Sequence, residues 1–194
     1  MHIIKPEINF PPESKFDQEA VFSKAKEVFD SFVNKGIFET EEKDCFYLYN
    51  LVMGETSQTG LVCLSAVEDY ENDIIKKHEY TRPAKEKDRI NHILSTGIQS
   101  GPVFLTYKMQ EKINDITSAI QDTKTLYAFM ADDGVQHKIW KIEDSKIVQK
   151  IQSAFEEVPA TYIADGHHRA AASAKAGIQL REENDKHTGN EAYN

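Results

Sequence analysis

The run Tyr162, Ile163, Ala164, Asp165, Gly166, His167, His168, Arg169 is the part of this chain whose residue types and spacing suit chemistry. A short apolar strand leads into Asp-Gly, and the alanine-rich stretch Ala170, Ala171, Ala172, Ser173, Ala174 continues it as a helix. Basic side chains favour the last turn of a helix, because the N-terminus already carries partial positive charge. Here two histidines and an arginine crowd the first turn, beside backbone N–H groups that lack helical partners. Such a concentration of positive potential suits an anion, a phosphate or a carboxylate. Asp165 is expected to cap the helix by accepting an N–H from His167 or His168. Gly166 allows a ligand close to the backbone, and Arg169 offers a bidentate fork to phosphate.

A second polar cluster holds Lys76, Lys77, His78, Glu79, Tyr80, Thr81 and Arg82, with Lys85, Asp88, Arg89 and His92 beyond Pro83. Read blandly, it is a solvated helix end and a charged helix face. Read functionally, it adds Arg82 or Arg89 to the anion site and makes Glu79 or Asp88 a general base or a magnesium ligand. No G-x-x-x-x-G-K-[ST] loop and no G-x-S-x-G elbow occurs. Neighbouring histidines diverge on a helix, and neither H-E-x-x-H nor paired C-x-x-C is present, so no metal site is assigned.

The elements that must position these groups follow from patterning. A proline-bearing extended arm covers 1–16, and a helix capped by Asp17 carries Val21, Ala25, Val28, Phe29 and Phe32 inward until Gly36. Strands are expected over 45–53 and 60–67, joined by a polar loop over 54–59. An acidic helix start at Glu68 runs to Lys76, Lys77 and His78. Further helices cover 84–96, 110–120 and 144–155, with strands at 102–107, 125–130, 136–142 and 160–164 and a turn at Asp132, Asp133 and Gly134. The last helix is expected to end at Gly177. The class is α/β (α+β), a mixed sheet with flanking helices.

The 194 residues, 40% of them hydrophobic, are enough for a buried core. They read as one domain over 1–180, with 1–100 and 101–180 as two subregions at most, and a polar tail over 181–194 that suggests a truncation point. A net charge of -9 disfavours nucleic acid and anionic membranes as partners. No apolar run approaches the ~20 residues of a membrane span, and no signal peptide is apparent. Cys45 and Cys63 lack metal or redox spacing and read as reduced thiols, so the expected location is cytoplasmic. A homodimer stays open.

The run 162–169, with 61–70, His78, Glu79, Thr81, Arg82, Asp88, Arg89 and 102–107, resembles the N-terminal half of the bacterial domain of unknown function family 1015. The Asp-Gly-His-His-Arg loop also resembles the phosphate-binding strand–loop–helix of the ParB and sulfiredoxin superfamily, one branch of which, the free serine kinases, carries a similar Asp-Gly-His-x-Arg run. These resemblances imply serine or phosphoserine as substrate, with a nucleotide (ATP or ADP) and Mg as cofactors. The implied roles are Asp165, His168 and Glu79 in catalysis, and Gly166, His167, His168, Arg169, Arg82 and Arg89 in binding phosphate or substrate. The second histidine departs from the kinase pattern and leaves the direction of transfer open between kinase and phosphatase. The alternative is a nucleotide or phosphometabolite sensor without turnover.

Overall fold

The computed structural model describes residues 1–13 and 15–194. Among these, six α-helices and seven strands form two sheets, one of four strands and one of three, so the class is mixed α/β. The chain divides into two compact units, each built from separate segments: 1–40, 66–106 and 160–194 in the first, 41–65 and 107–159 in the second.

The second unit carries an antiparallel sheet. Strand β1 (Phe46–Met53) pairs with β2 (Thr56–Val62) and with β6 (Gln136–Ile142), and β5 (Tyr127–Met130) closes the other edge. Helices α4 (Glu111–Gln121) and α5 (Ser145–Glu156) supply Ile120, Val148 and Ile151 to a core with Leu48, Trp140 and Ile142. Asp144 caps α5 by accepting from the N–H groups of Lys146 and Ile147. The hairpin loop is shorter than its composition suggests. Gly54 takes a left-handed φ of 59°, which turns the chain within two residues, and the polar residues 56–59 belong to β2. They are stabilised from the inner strand, where the buried Asn50 amide donates to Ser57 Oγ, Thr59 Oγ1 and the Gln58 carbonyl.

The first unit holds α1 (Gln18–Asn34), α2 (Val67–Glu71), β3 (Ile75–Lys76), α3 (Pro83–Thr96), β4 (Phe104–Tyr107), β7 (Thr161–Asp165) and α6 (His167–Glu182). Asp17 caps α1 as its sequence predicts, accepting from Ala20 N–H. Strand β7 lies between β3, which it pairs in parallel, and β4. The acidic helix is one short turn, because Ile75 is buried as a strand residue beside Thr161 and the chain must straighten to reach it.

Two further elements differ from what their sequence suggests. Helix α6 does not stop at Gly177. That glycine is buried inside the helix because a Cβ there would lie 2.5 Å from the Tyr193 carbonyl oxygen and 2.9 Å from Val67. The tail is packed rather than featureless. Tyr193 OH accepts from the Asn184 amide at 2.8 Å, and its ring stacks on His187. The arm expected over 1–16 includes residue 14, which lies outside the described residues. Of the rest, Pro6–Asn9 forms a 3-10 turn, Ile3 is buried, and the Ile3 carbonyl meets His92 Nε2 at 2.9 Å.

Candidate functional site

Strand β7 ends at Asp165, and α6 begins at His167, with one residue between them. Gly166 is the N-cap, with φ 101° and ψ 28°, and no side chain caps the helix. Asp165 is therefore not the cap that the sequence suggests. The left-handed turn at Gly166 sends its carboxylate outward, where Oδ2 accepts from Arg169 Nη2 at 2.6 Å. The first-turn N–H groups of α6 are left without a side-chain acceptor, the condition under which an anion is bound.

A cavity of about 190 Å³ opens at this point, lined by His78, Glu79, Arg89 and residues 164–169. The fold thus unites most of the residues singled out from the sequence. Glu79 and His78 come from the segment after β3, Arg89 from α3, and the rest from the β7–α6 junction. Arg82 stands apart from the cavity lining, as the N-cap of α3.

The two histidines have different surroundings. His167 is buried, its Nε2 accepts from the His78 backbone N–H at 3.5 Å, and its ring meets the His78 ring edge-on at 4.3 Å. Accepting at Nε2 requires the ring proton on Nδ1, which faces Glu79 Oε2 at 3.6 Å. His167 is held from both sides, whereas His168 Nδ1 is buried without any hydrogen-bond partner. So is Arg169 Nε, although the same guanidinium holds Asp165. A buried polar atom without a partner costs about 1–3 kcal/mol, so both atoms favour a ligand that supplies one.

Arg169 reaches its position between two glycines. A Cβ on Gly166 would sit 2.9 Å from Arg169 Nη2, and one on Gly101 would sit 3.0 Å from Arg169 Cδ. The glycine at 101 precedes β4 and leaves room for the arginine stem.

On α3, three residues before the cavity-lining Arg89, stands a buried group that was not expected from the sequence. Glu86 is 4% exposed, and its carboxylate accepts from the Lys175 ammonium of α6 and from the Thr81 hydroxyl. Those hydrogen bonds, Lys175 first, hold its carboxyl below the ordinary glutamate value, and the nearby His168 ring acts in the same direction. The missed signal was spacing. Glu86 lies four and seven residues before Ile90 and Ile93, on the inward stripe of α3, where an unpaired carboxylate would not be tolerated.

Magnesium held by protein side chains alone does not fit this donor set. Asp165 is occupied by Arg169, Glu79 lies beside His167, and among the described residues no three His, Cys, Asp or Glu side chains converge. A magnesium ion would have to arrive on phosphate oxygens.

Fold and site together define a mixed α/β protein with a strand–glycine–helix junction arranged around a small polar cavity. Compared with protein-family models, residues 1–194 match the family described as "Protein of unknown function (DUF1015)", and the chain belongs to that family. No curated protein and no solved structure matches it. No helix among the described residues is long and apolar enough to cross a membrane.

Proposed function

We propose that the cavity at the start of α6 binds the phosphoryl group of a small metabolite and that the protein transfers phosphate to or from the hydroxyl of serine. The observation that carries this reading is the unpartnered, buried Nδ1 of His168 beside an uncapped helix start. The likeness of the Asp-Gly-His-His-Arg loop to free serine kinases supports the choice of serine. Size supports it as well. At about 190 Å³ the cavity is smaller than the roughly 300–1,000 Å³ of pockets that enclose drug-sized ligands, so it suits phosphoserine and admits only the terminal phosphate of a nucleotide.

In the kinase direction, the serine Oγ gives its proton to Glu79 or Asp165 and bonds to the terminal phosphorus as the bond to the nucleotide's bridging oxygen breaks. His168, Arg169 and the first-turn N–H groups neutralise the phosphoryl oxygens. His167, fixed by His78 and Glu79, holds the junction in shape. In the phosphatase direction a His168 ring nitrogen bonds to phosphorus as the bond to the serine Oγ breaks, Glu79 or Asp165 in its acid form protonates the leaving Oγ, and water then cleaves the N–P bond to release phosphate.

Incubation with phosphoserine, and separately with serine plus ATP or ADP, each with and without Mg, is expected to move phosphate. His168→Ala should abolish the transfer. No phosphate movement under any of these conditions would remove the enzymatic reading. Calorimetric binding of phosphoserine with the ligand recovered unchanged would replace it by the sensor reading.

A further inference from the structure

Each acidic side chain that lines the cavity at the start of α6 already has a partner. Asp165 Oδ2 accepts from Arg169 Nη2 at 2.6 Å, and Glu79 Oε2 faces His167 Nδ1 at 3.6 Å. Arg89, the other arginine of the lining, makes no ion pair among the described residues. It is half-buried on α3. Among the described residues its guanidinium makes a single hydrogen bond, from Nη1 to the Lys85 carbonyl at 3.1 Å, which ties one corner of the fork and leaves the rest free. A guanidinium that has lost part of its hydration and gained no counter-charge favours an anionic group on a ligand.

A phosphoryl group does not account for Arg89. It presents three acceptor oxygens, and the start of α6 already offers His168 Nδ1, Arg169 Nε and the uncapped first-turn N–H groups. All of these belong to α6, whereas Arg89 enters the cavity from α3. The cavity thus has a second cationic pole on a second element. A carboxylate is the anion whose two oxygens match a guanidinium fork, and it is the anion that a phosphorylated amino acid carries besides its phosphate.

We infer that Arg89 binds the carboxylate of the phosphorylated ligand and is the residue by which the site tells a phosphorylated amino acid from the corresponding phosphorylated amine. The inference rests on the phosphoryl-binding reading of the same cavity. Arg89 is then a specificity-determining group and takes no part in bond changes at phosphorus. Its contribution is to hold the carboxylate end of the ligand so that the Oγ end is presented to the start of α6.

Calorimetry on the full chain tests this with inorganic phosphate and with the phosphonate analogues of phosphoserine and phosphoethanolamine, in which a methylene replaces the bridging oxygen so that nothing is cleaved. The wild type should bind the phosphoserine analogue at least about tenfold more tightly than the phosphoethanolamine analogue, which lacks only the carboxylate. Arg89→Gln should bring the two within about threefold of each other and leave inorganic phosphate within about twofold of wild type. Arg89→Lys keeps the charge but not the fork, and its preference should fall between those two. Lys85→Gln removes an exposed charge of α3 outside the cavity lining and should leave the preference unchanged. No preference in the wild type, a preference lost equally in Lys85→Gln, or an Arg89→Gln variant that loses inorganic phosphate as much as the phosphoserine analogue would overturn the role of Arg89 and leave the phosphoryl site standing. Failure of every probe to bind the wild type would overturn the phosphoryl reading and this inference with it.

Discussion

Replacing Glu86 by Gln tests the ion pair that joins α3 to α6. The carboxylate accepts from Lys175 and Thr81 at a site that is 4% exposed. Glutamine keeps the shape and one acceptor oxygen, so the Thr81 bond survives while the charge-assisted bond to Lys175 is lost. A hydrogen bond to a charged group contributes about 1.5–3 kcal/mol, and part of the loss is recovered because the Lys175 side chain is 54% exposed and can turn to water. The expected net cost is about 1.5 kcal/mol at neutral pH, or roughly 3–6 °C in Tm for a chain of this size.

The pH dependence fixes the cause. The Glu86 carboxyl lies below its ordinary value of 4.5, chiefly through Lys175 and then Thr81. A lowered carboxyl contributes stability that is complete above the ordinary value and is lost as pH falls through the folded one. The gap between wild type and Glu86→Gln should therefore be full at pH 7 and should narrow steadily in the acid range. Urea unfolding followed by circular dichroism at several pH values measures it. A gap below about 0.5 kcal/mol at pH 7, or one equally wide at acid pH, would refute the account of Glu86 as an ionised, paired group.

Gly166→Ala should cost about 1–2 kcal/mol, since a side chain must adopt the left-handed turn and its Cβ approaches Arg169 Nη2 at 2.9 Å; thermal melting checks this, and unchanged stability would contradict it. Arg169→Ala should weaken phosphoserine binding at least about tenfold by calorimetry, because its fork is the strongest phosphate donor lining the cavity. Leu48→Ala should cost about 2–5 kcal/mol, seen in the fluorescence of the sole tryptophan, Trp140, which shares its core.

What the sequence revealed and what it hid follow one pattern. Asp17 and Asp144 were readable as caps, and Gly97 as a helix stop, because these features act within a few residues and are declared by residue type. Strand β2 was half hidden, since Thr56 to Thr59 look like a loop until Asn50 is placed opposite them. Gly177 looked like a terminator, but its smallness answers to Tyr193, sixteen residues on. At the site the β7–α6 junction was legible from charges of the wrong sign for a helix start. The true position of Asp165 was not, because capping and pairing with Arg169 compete for one carboxylate, and the geometry of Gly166 decides between them. Gly101 was invisible for another reason, since it matters only through Arg169, and the spacing that sets Glu86 on the inward stripe of α3 makes sense only once Lys175, 89 residues away, is placed beside it.

The division of the chain into interleaved segments has a consequence for biosynthesis. Strand β7 and the first turn of α6 are synthesised long after β3, the strand that β7 pairs with, and the segment 107–159 must be made in between. Every earlier stretch of the cavity, from His78 to Arg89, is then a set of charged side chains with no floor. Glu86 waits throughout for Lys175. The site thus forms only after β7 and the start of α6 have been made, and a product stalled or clipped before them never reaches it. Binding competence would report the synthesis of β7 and α6 more faithfully than helix content does.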